Sequence, residues 1–165
     1  MWYAILGAVL LAGDQILKYW VVTHLAVGES APFLPGFLQL TRLHNYGAAW
    51  SSLSGRTVLL VVFTAVLLAV VALLLLKKVV RHWTGITACT LILSGGIGNI
   101  IDRIVHGYVV DMFDLQLFSY PVFNLADCCV VVGAILGGVY YLFLYDKYDK
   151  KKKESDHAHD PSDPS

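Results

Sequence analysis

Four long apolar segments alternate with shorter polar ones along the chain. The apolar segments cover about residues 2–22, 58–76, 83–104 and 122–144. Each approaches the roughly 20 residues that an α-helix needs to cross the hydrocarbon core of a bilayer. The first segment lacks a basic start and a small-x-small cleavage site, and it carries a carboxylate, so we predict a retained helix rather than a signal peptide. The pattern predicts four membrane-spanning helices in a domain of residues 1–145.

Two polar-to-mixed segments, 28–56 and 106–121, separate these spans on one side of the predicted bundle. Residues 37–45 follow a Pro-Gly turn signal and partly alternate between apolar and polar types, which predicts a short strand. Residues 45–52 combine Asn-x-Gly with small side chains, a pattern that is also typical of an ordinary turn. The predicted fold class is an all-α integral membrane protein with four transmembrane helices and a small extracytoplasmic platform that contains β-structure.

Composition and charge support this class and orient the helices. Of the 165 residues, 57% are hydrophobic and 15% are charged, whereas soluble domains average about 45–50% and about 25%. Basic residues occupy the 77–82 loop and the 147–153 segment, so the positive-inside rule places both, and both termini, in the cytoplasm. The polar, Pro- and Ser-containing tail 146–165 is predicted to be disordered.

The same composition excludes several classes of function. No basic stripe is mixed with aromatic residues, as a nucleic-acid groove requires. The three cysteines lie in apolar runs, two of them adjacent, without metal-ligand spacing such as CxxC. We therefore expect no metal site, no cofactor and no nucleic-acid partner.

Polar residues of chemical interest are concentrated in the stretch that joins the third span to the fourth. Ionisable groups at membrane depth cost roughly 2.5–3.5 kcal/mol each, so their retention indicates chemistry, transport or a paired structural role. Asp14 and Lys18 have the i, i+4 spacing of a helical ion pair, and the sequence leaves a structural or a functional role open. Asp111, Asp114 and Asp127 fall near the outer membrane face. Two acids facing each other in a desolvated cleft would split their protonation and permit aspartic-peptidase chemistry.

Other interpretations of these residues stay open on this basis. Asn124 and Asp127 have the spacing of an N-cap and its capping box at the start of the fourth span. The residue types for a Ser–His or Cys–His nucleophile are present at Ser94, Ser119, Cys128 and His106. No nucleophile motif accompanies them. A transporter or proton channel would also use intramembrane carboxylates, but it predicts acids through the whole membrane depth. A purely structural protein would gain nothing from the polar cluster that offsets the cost of inserting it into the membrane.

Five short motifs follow one another along these spans. They are DQILK at 14–18, NYGAAWS at 45–51, GGIGNIIDR at 95–103, GYVVDMFD at 107–114 and FNLAD at 123–127. In type, order and spacing they resemble the motifs of bacterial lipoprotein signal peptidases, the type II signal peptidases, over nearly the whole chain. Each motif alone is a weak signal, whereas all five in order are highly specific.

The resemblance implies roles for particular residues. It makes Asp111 and Asp127 the catalytic pair and leaves Asp114 outside the site. The residues that match those lining the substrate pocket or supporting the pair are Asn45, Gly47, Asn99, Arg103 and Asn124. Asp14, with Lys18, corresponds to a supporting position, and Asp102 is expected to be structural. Arg103 would hold a polar or anionic group of a lipid or orient a carboxylate of the pair, a choice that the sequence leaves open.

The resemblance also implies an activity and a place in the cell. The expected enzyme is an aspartic endopeptidase of the bacterial cytoplasmic (inner) membrane, with its active site near the outer leaflet. It would remove the signal peptide of prolipoproteins by cleaving before a diacylglyceryl-modified cysteine. The expected partners are these prolipoproteins, membrane lipids and globomycin-type inhibitors, and the multi-pass chain is expected to be monomeric.

Overall fold

The computed structural model describes residues 1–47 and 55–150, which leaves out most of the NYGAAWS motif and most of the predicted tail. Within these described residues, four helices are long and apolar enough to cross a membrane: α1 (Trp2–His24), α2 (Thr57–Leu76), α3 (Trp83–His106) and α4 (Leu125–Phe143). Their bounds lie within three residues of the predicted spans. The strands β1 (Ser30–Leu34), β2 (Leu38–Asn45) and β3 (Val109–Leu115) form an antiparallel sheet in the order β1-β2-β3. The fold class of four membrane helices with a small β-containing platform is confirmed.

Helix α3 is the centre of the bundle, and glycines make this possible. It packs against α1, α2 and α4 and has more buried residues than any of them. A Cβ atom at Gly95 would collide with the backbone carbonyl of Ala126 on α4, and one at Gly96 would lie 2.6 Å from Leu68 on α2. Because such glycines remove side-chain bulk, helices approach closely. The start of α4 therefore lies directly against the second half of α3.

The platform has three strands where the sequence predicts one. β2 coincides with the predicted strand 37–45, whereas β1 and β3 are found in segments with no predicted strand. β3 begins soon after α3 because Gly107 adopts a left-handed φ of 82°, which ends the helix with an N–H bond to the carbonyl of Arg103. Pairing with β2 then satisfies part of the β3 backbone and places Asp111 opposite Leu43.

Strand β3 is buried on both faces, and this determines the surroundings of its central carboxylate. Val110 and Met112 join Val21 of α1 and Leu25, the residue after that helix, in one buried apolar cluster. Successive side chains of a strand point to opposite faces, so Asp111 points away from this cluster. Its side chain is nevertheless only 1% exposed, because the first turn of α4 covers it as described below.

A short helical turn, Tyr145–Lys150, follows α4 and extends the folded part beyond the predicted boundary at residue 145. Asp149 is buried there and accepts hydrogen bonds from the backbone N–H groups of Arg81 and His82, at 3.0 and 3.1 Å, and from the hydroxyl of Tyr140. Burial opposes ionisation, but these donors outweigh it and lower the pKa of the Asp149 carboxyl. The turn is ordered because its carboxylate satisfies donors at the start of α3.

Candidate active site

Asp111 is held between two amide side chains from different elements. The Nδ2 of Asn45, at the end of β2, donates to Oδ2 of Asp111 at 2.9 Å, and the Nδ2 of Asn124 donates to Oδ1 at 2.7 Å. Burial and then the negative charge of Asp127 raise the pKa of Asp111 to about 7, against the lowering effect of the two amides. A buried carboxyl with a pKa near neutrality is a candidate for acid–base chemistry.

Asp127 combines a local capping role with a position close enough to Asp111 for the two charges to interact. Asn124 is the N-cap of α4: its Oδ1 accepts from the Asp127 N–H at 2.8 Å, and its own N–H donates to Oδ2 of Asp127 at 3.3 Å. The predicted capping box is thus confirmed. The other carboxylate oxygen, Oδ1, accepts from Nδ2 of Asn99 on α3 at 2.8 Å. The charge of Asp127 also acts on Asp111, where it raises the pKa of the carboxyl.

Asn124 is the residue that links the two carboxylates. It is fully buried, and its side-chain amide contacts Asp111 while its backbone N–H contacts Asp127. Together with Asn45 and Asn99, it gives each of the four carboxylate oxygens one N–H donor. The same Asn124 Nδ2 also lies 3.3 Å from Oδ1 of Asn99. Hydrogen bonds of this kind favour the ionised form of a carboxylate and counteract the cost of its burial.

Arg103 fixes the backbone around the pair rather than pairing with it. Its Nη2 donates to the carbonyl of Gly47 at 2.8 Å and its Nη1 to the carbonyl of Asn99 at 3.2 Å. The N–H of Gly47 in turn donates to Oδ1 of Asn45 at 3.0 Å. Within residues 1–47 and 55–150, Arg103 forms no ion pair at contact distance. All five predicted pocket or supporting residues belong to this one network, and Arg103 orients Asn45 through the loop after β2.

A buried charge cluster lies beneath the pair, deeper in the bundle. The Nζ of Lys18 is 2.8 Å from Asp14 and 3.0 Å from Asp102, and it donates to Oδ1 of Asn99 at 3.1 Å. The predicted Asp14–Lys18 ion pair is therefore present, and it has a second acid that the sequence analysis treated only as structural. Gln15 completes the cluster with a 3.1 Å bond to Asp102. Asp102 is an acid near the end of a predicted span for which the sequence predicted no ion pair. This was the signal that could have linked it to Lys18.

This cluster contacts the residue before each aspartate of the pair. Oδ1 of Asp14 accepts the backbone N–H of Ala126 at 2.9 Å, and Oδ2 of Asp102 accepts the N–H of Val110 at 3.0 Å. A Cβ atom at Gly98 would lie only 2.8 Å from Asp14, so this glycine leaves room for the carboxylate. Asp14 and Asp102 thereby fix the backbone immediately before Asp127 and Asp111.

The remaining candidates lie outside this arrangement. Asp114, three residues after Asp111 and hence on the other face of β3, accepts from Gln39 at 2.6 Å and Thr41 at 3.2 Å within the sheet. Ser94 donates to a carbonyl of its own helix, and His106 is exposed and stacks on Tyr108. Neither belongs to a nucleophile–base pair in the described part of the chain. There, too, no three metal-ligating side chains converge.

Comparisons with known proteins agree on one family. A family model described as signal peptidase (SPase) II matches residues 6–143. The chain is 40% identical over 151 residues to the lipoprotein signal peptidase of Enterococcus faecalis, covering 92% of this chain and 93% of that one. It is 42% identical over 136 residues to that of Lactiplantibacillus plantarum, covering 82% and 91%. A solved bacterial membrane enzyme gives a TM-score of 0.79 at 32% identity over 90% of each chain.

Proposed function

The chain belongs to the signal peptidase II family, and from this premise we propose that it is an aspartic endopeptidase acting within the membrane. Its substrates are prolipoproteins that carry a diacylglyceryl-modified cysteine, in line with the name lipoprotein signal peptidase that its relatives bear. It cleaves just before that cysteine and releases the signal peptide. Asp111 and Asp127 form the catalytic pair.

One observation carries the proposal: the buried carboxyl group of Asp111 and the half-buried one of Asp127 are linked by Asn124, and each of their oxygens accepts one N–H donor. Two neighbouring carboxylates in a site of low polarity do not both ionise, so the pair shares a proton and titrates as a unit. The raised pKa of Asp111, about 7, supports a singly protonated pair near neutral pH. The amide donors keep both carboxyls oriented in either protonation state.

A singly protonated pair is sufficient for peptide hydrolysis. The ionised carboxylate takes a proton from water while the water oxygen attacks the scissile carbonyl carbon, and the protonated carboxyl gives its proton to the carbonyl oxygen. One hydroxyl of the tetrahedral intermediate then returns a proton to the second carboxyl as the C–N bond breaks. The amine nitrogen takes the proton held by the first carboxyl. The pair ends with one shared proton, and no covalent intermediate forms.

The substrate reaches the pair from the outer leaflet in this proposal. The pair lies at the end of the bundle opposite the basic 77–82 loop, which the positive-inside rule places in the cytoplasm. A lipid-modified cysteine holds its scissile bond near the membrane interface, at the same level. The residues proposed to bind or position the peptide are Asn45, Gly47, Asn99, Arg103 and Asn124. The residues of the proposed site all come from one chain, so we propose a monomer. Globomycin-type compounds are the expected inhibitors.

The test is cleavage of a lipid-modified prolipoprotein by purified variants. We expect Asp111→Asn and Asp127→Asn each to abolish turnover while the protein still inserts and folds, as judged by gel filtration and thermal unfolding. Asp114→Asn is the matched control, because it removes the same charge from the same strand on its other face. Retained turnover in Asp127→Asn, or an equal loss in Asp114→Asn, would contradict the assignment.

The rival proposal of a proton channel is separable by experiment. The deep acids that it would need, Asp14 and Asp102, already share Lys18 and backbone N–H donors. Because both carboxylates already have an ion-pair partner and a hydrogen-bond donor, a fixed structural role is favoured over a proton pathway. Proton flux through liposomes carrying the protein, together with an absence of peptidase activity, would favour the channel.

A further inference from the structure

A cavity lies at the end of the bundle opposite the aspartate pair. It has a volume of about 700 Å³ and is lined by the first half of α1, the end of α2 and the first half of α3. The cavity exists because α1 and α2 both pack on α3 but make few contacts with each other. A groove therefore runs along α3 between them. We call it the α3 groove, and it takes no part in the proposed cleavage.

The walls of the α3 groove are mostly apolar and about as long as one leaflet. On α1 the lining extends from Tyr3 to Leu11, and on α3 from Ile86 to Ile97. At 1.5 Å per residue these lengths are ~12 Å and ~16 Å, close to half of the ~30 Å hydrocarbon core of a bilayer. The groove thus has the length and the lining for one acyl chain lying parallel to α3.

Two cations mark the end of the groove at the loop between α2 and α3. Lys78 and Arg81 are the charged residues among its described lining. Lys78 also has a φ of 51°, the left-handed conformation that glycine adopts at lower cost after the end of a helix.

We propose that the α3 groove binds one anionic glycerophospholipid, with an acyl chain along α3 and its phosphate at Lys78 and Arg81. The charge selects this occupant. A signal peptide would bring its own basic start to the same end of the membrane and meet two positive charges. A zwitterionic lipid offers the same chains but less net attraction, because only anionic headgroups gain fully from nearby Lys and Arg.

The experiment compares two lipids with identical acyl chains, phosphatidylglycerol and phosphatidylcholine. Native mass spectrometry of the full-length protein released from detergent measures how much of each stays bound. We expect one retained phosphatidylglycerol and several-fold weaker retention of phosphatidylcholine. Equal retention of the two lipids, or displacement of phosphatidylglycerol by a synthetic signal-peptide segment, would overturn the proposal.

Two variants with matched controls locate the site. Lys78→Gly removes the cation and relieves the left-handed backbone, so we expect unchanged or higher thermal stability and about fivefold weaker binding of phosphatidylglycerol. Lys77→Gly removes the same charge beside the groove and should retain binding. Ala8→Phe fills the groove and should abolish retention of both lipids, whereas Val9→Phe, on the exposed face of α1, should not. An equal loss in Lys77→Gly, or full binding in Lys78→Gly, would show that no such site exists.

The outcome is independent of the proposed peptidase activity. Because the groove and the aspartate pair lie at opposite ends of α3, Lys78→Gly should cleave substrate at the normal rate in lipid-free detergent. Failure of lipid selectivity with normal cleavage would refute the lipid site alone. Loss of cleavage in this variant would overturn the separation of the two sites on which the proposal depends.

Discussion

Replacing Asn124 by serine tests the central feature of the site, the amide that links the two carboxylates. Serine is about as good an N-cap as asparagine, so α4 should still begin at Leu125. The side-chain amide is lost, and with it the 2.7 Å hydrogen bond from Nδ2 to Asp111 and the longer one, 3.3 Å, to Asn99. A hydrogen bond to a charged group contributes about 1.5–3 kcal/mol. If the transition state loses that much stabilisation, kcat/KM falls by about 10- to 100-fold, since each ~1.4 kcal/mol changes the rate tenfold.

The same substitution should also change the pH dependence in a defined direction. Donation from Asn124 lowers the pKa of Asp111, which burial and Asp127 raise to about 7. Without that donor the pKa rises further, so the pair keeps its shared proton to higher pH. The alkaline limb of the rate profile, where the singly protonated pair is lost, should therefore move to higher pH in Asn124→Ser.

The assay is cleavage of a lipid-modified prolipoprotein by purified protein in detergent between pH 5 and 9, with thermal unfolding measured on the same samples. Asn124→Ala is the comparison, because it removes both the cap and the amide and should lose about 1 kcal/mol more stability. The reasoning is refuted if Asn124→Ser retains activity within twofold of the unsubstituted protein and its alkaline limb stays in place.

Further predictions concern the charge cluster, the helix contacts and metal dependence. Lys18→Met leaves the buried Asp14 and Asp102 without their cation. It should lower the free energy of unfolding, measured with denaturant, by about 3–5 kcal/mol. A change below about 1 kcal/mol would contradict the network. Gly95→Ala should cost about 1–3 kcal/mol because its Cβ meets the α4 backbone, whereas Gly138→Ala, with open space around it, should be neutral or stabilising. A chelator should leave the cleavage rate unchanged, and a loss restored by zinc would count against the metal-free mechanism.

Local sequence patterns determined the helices and several of their contacts. The apolar runs predict the four membrane helices to within three residues, because a bilayer sets the length of a span. The capping box of Asn124 and Asp127 and the ion pair of Asp14 and Lys18 are likewise encoded in short spacings, since residues three or four apart on a helix are neighbours. The order of the five motifs indicated the family.

The tertiary structure decided which of these local features meet. Strand β3 exists because it pairs with β2, and no alternation within residues 106–121 predicted it. Asp102 contacts Lys18 across 84 positions of the chain, and Arg103 reaches Gly47 across 56, only because glycines let α3 pack against its neighbours. The α3 groove exists because α1 and α2 both pack on α3 but make few contacts with each other. Periodicity specifies the face of a helix but not its partner, so contacts between distant segments had to come from the folded chain.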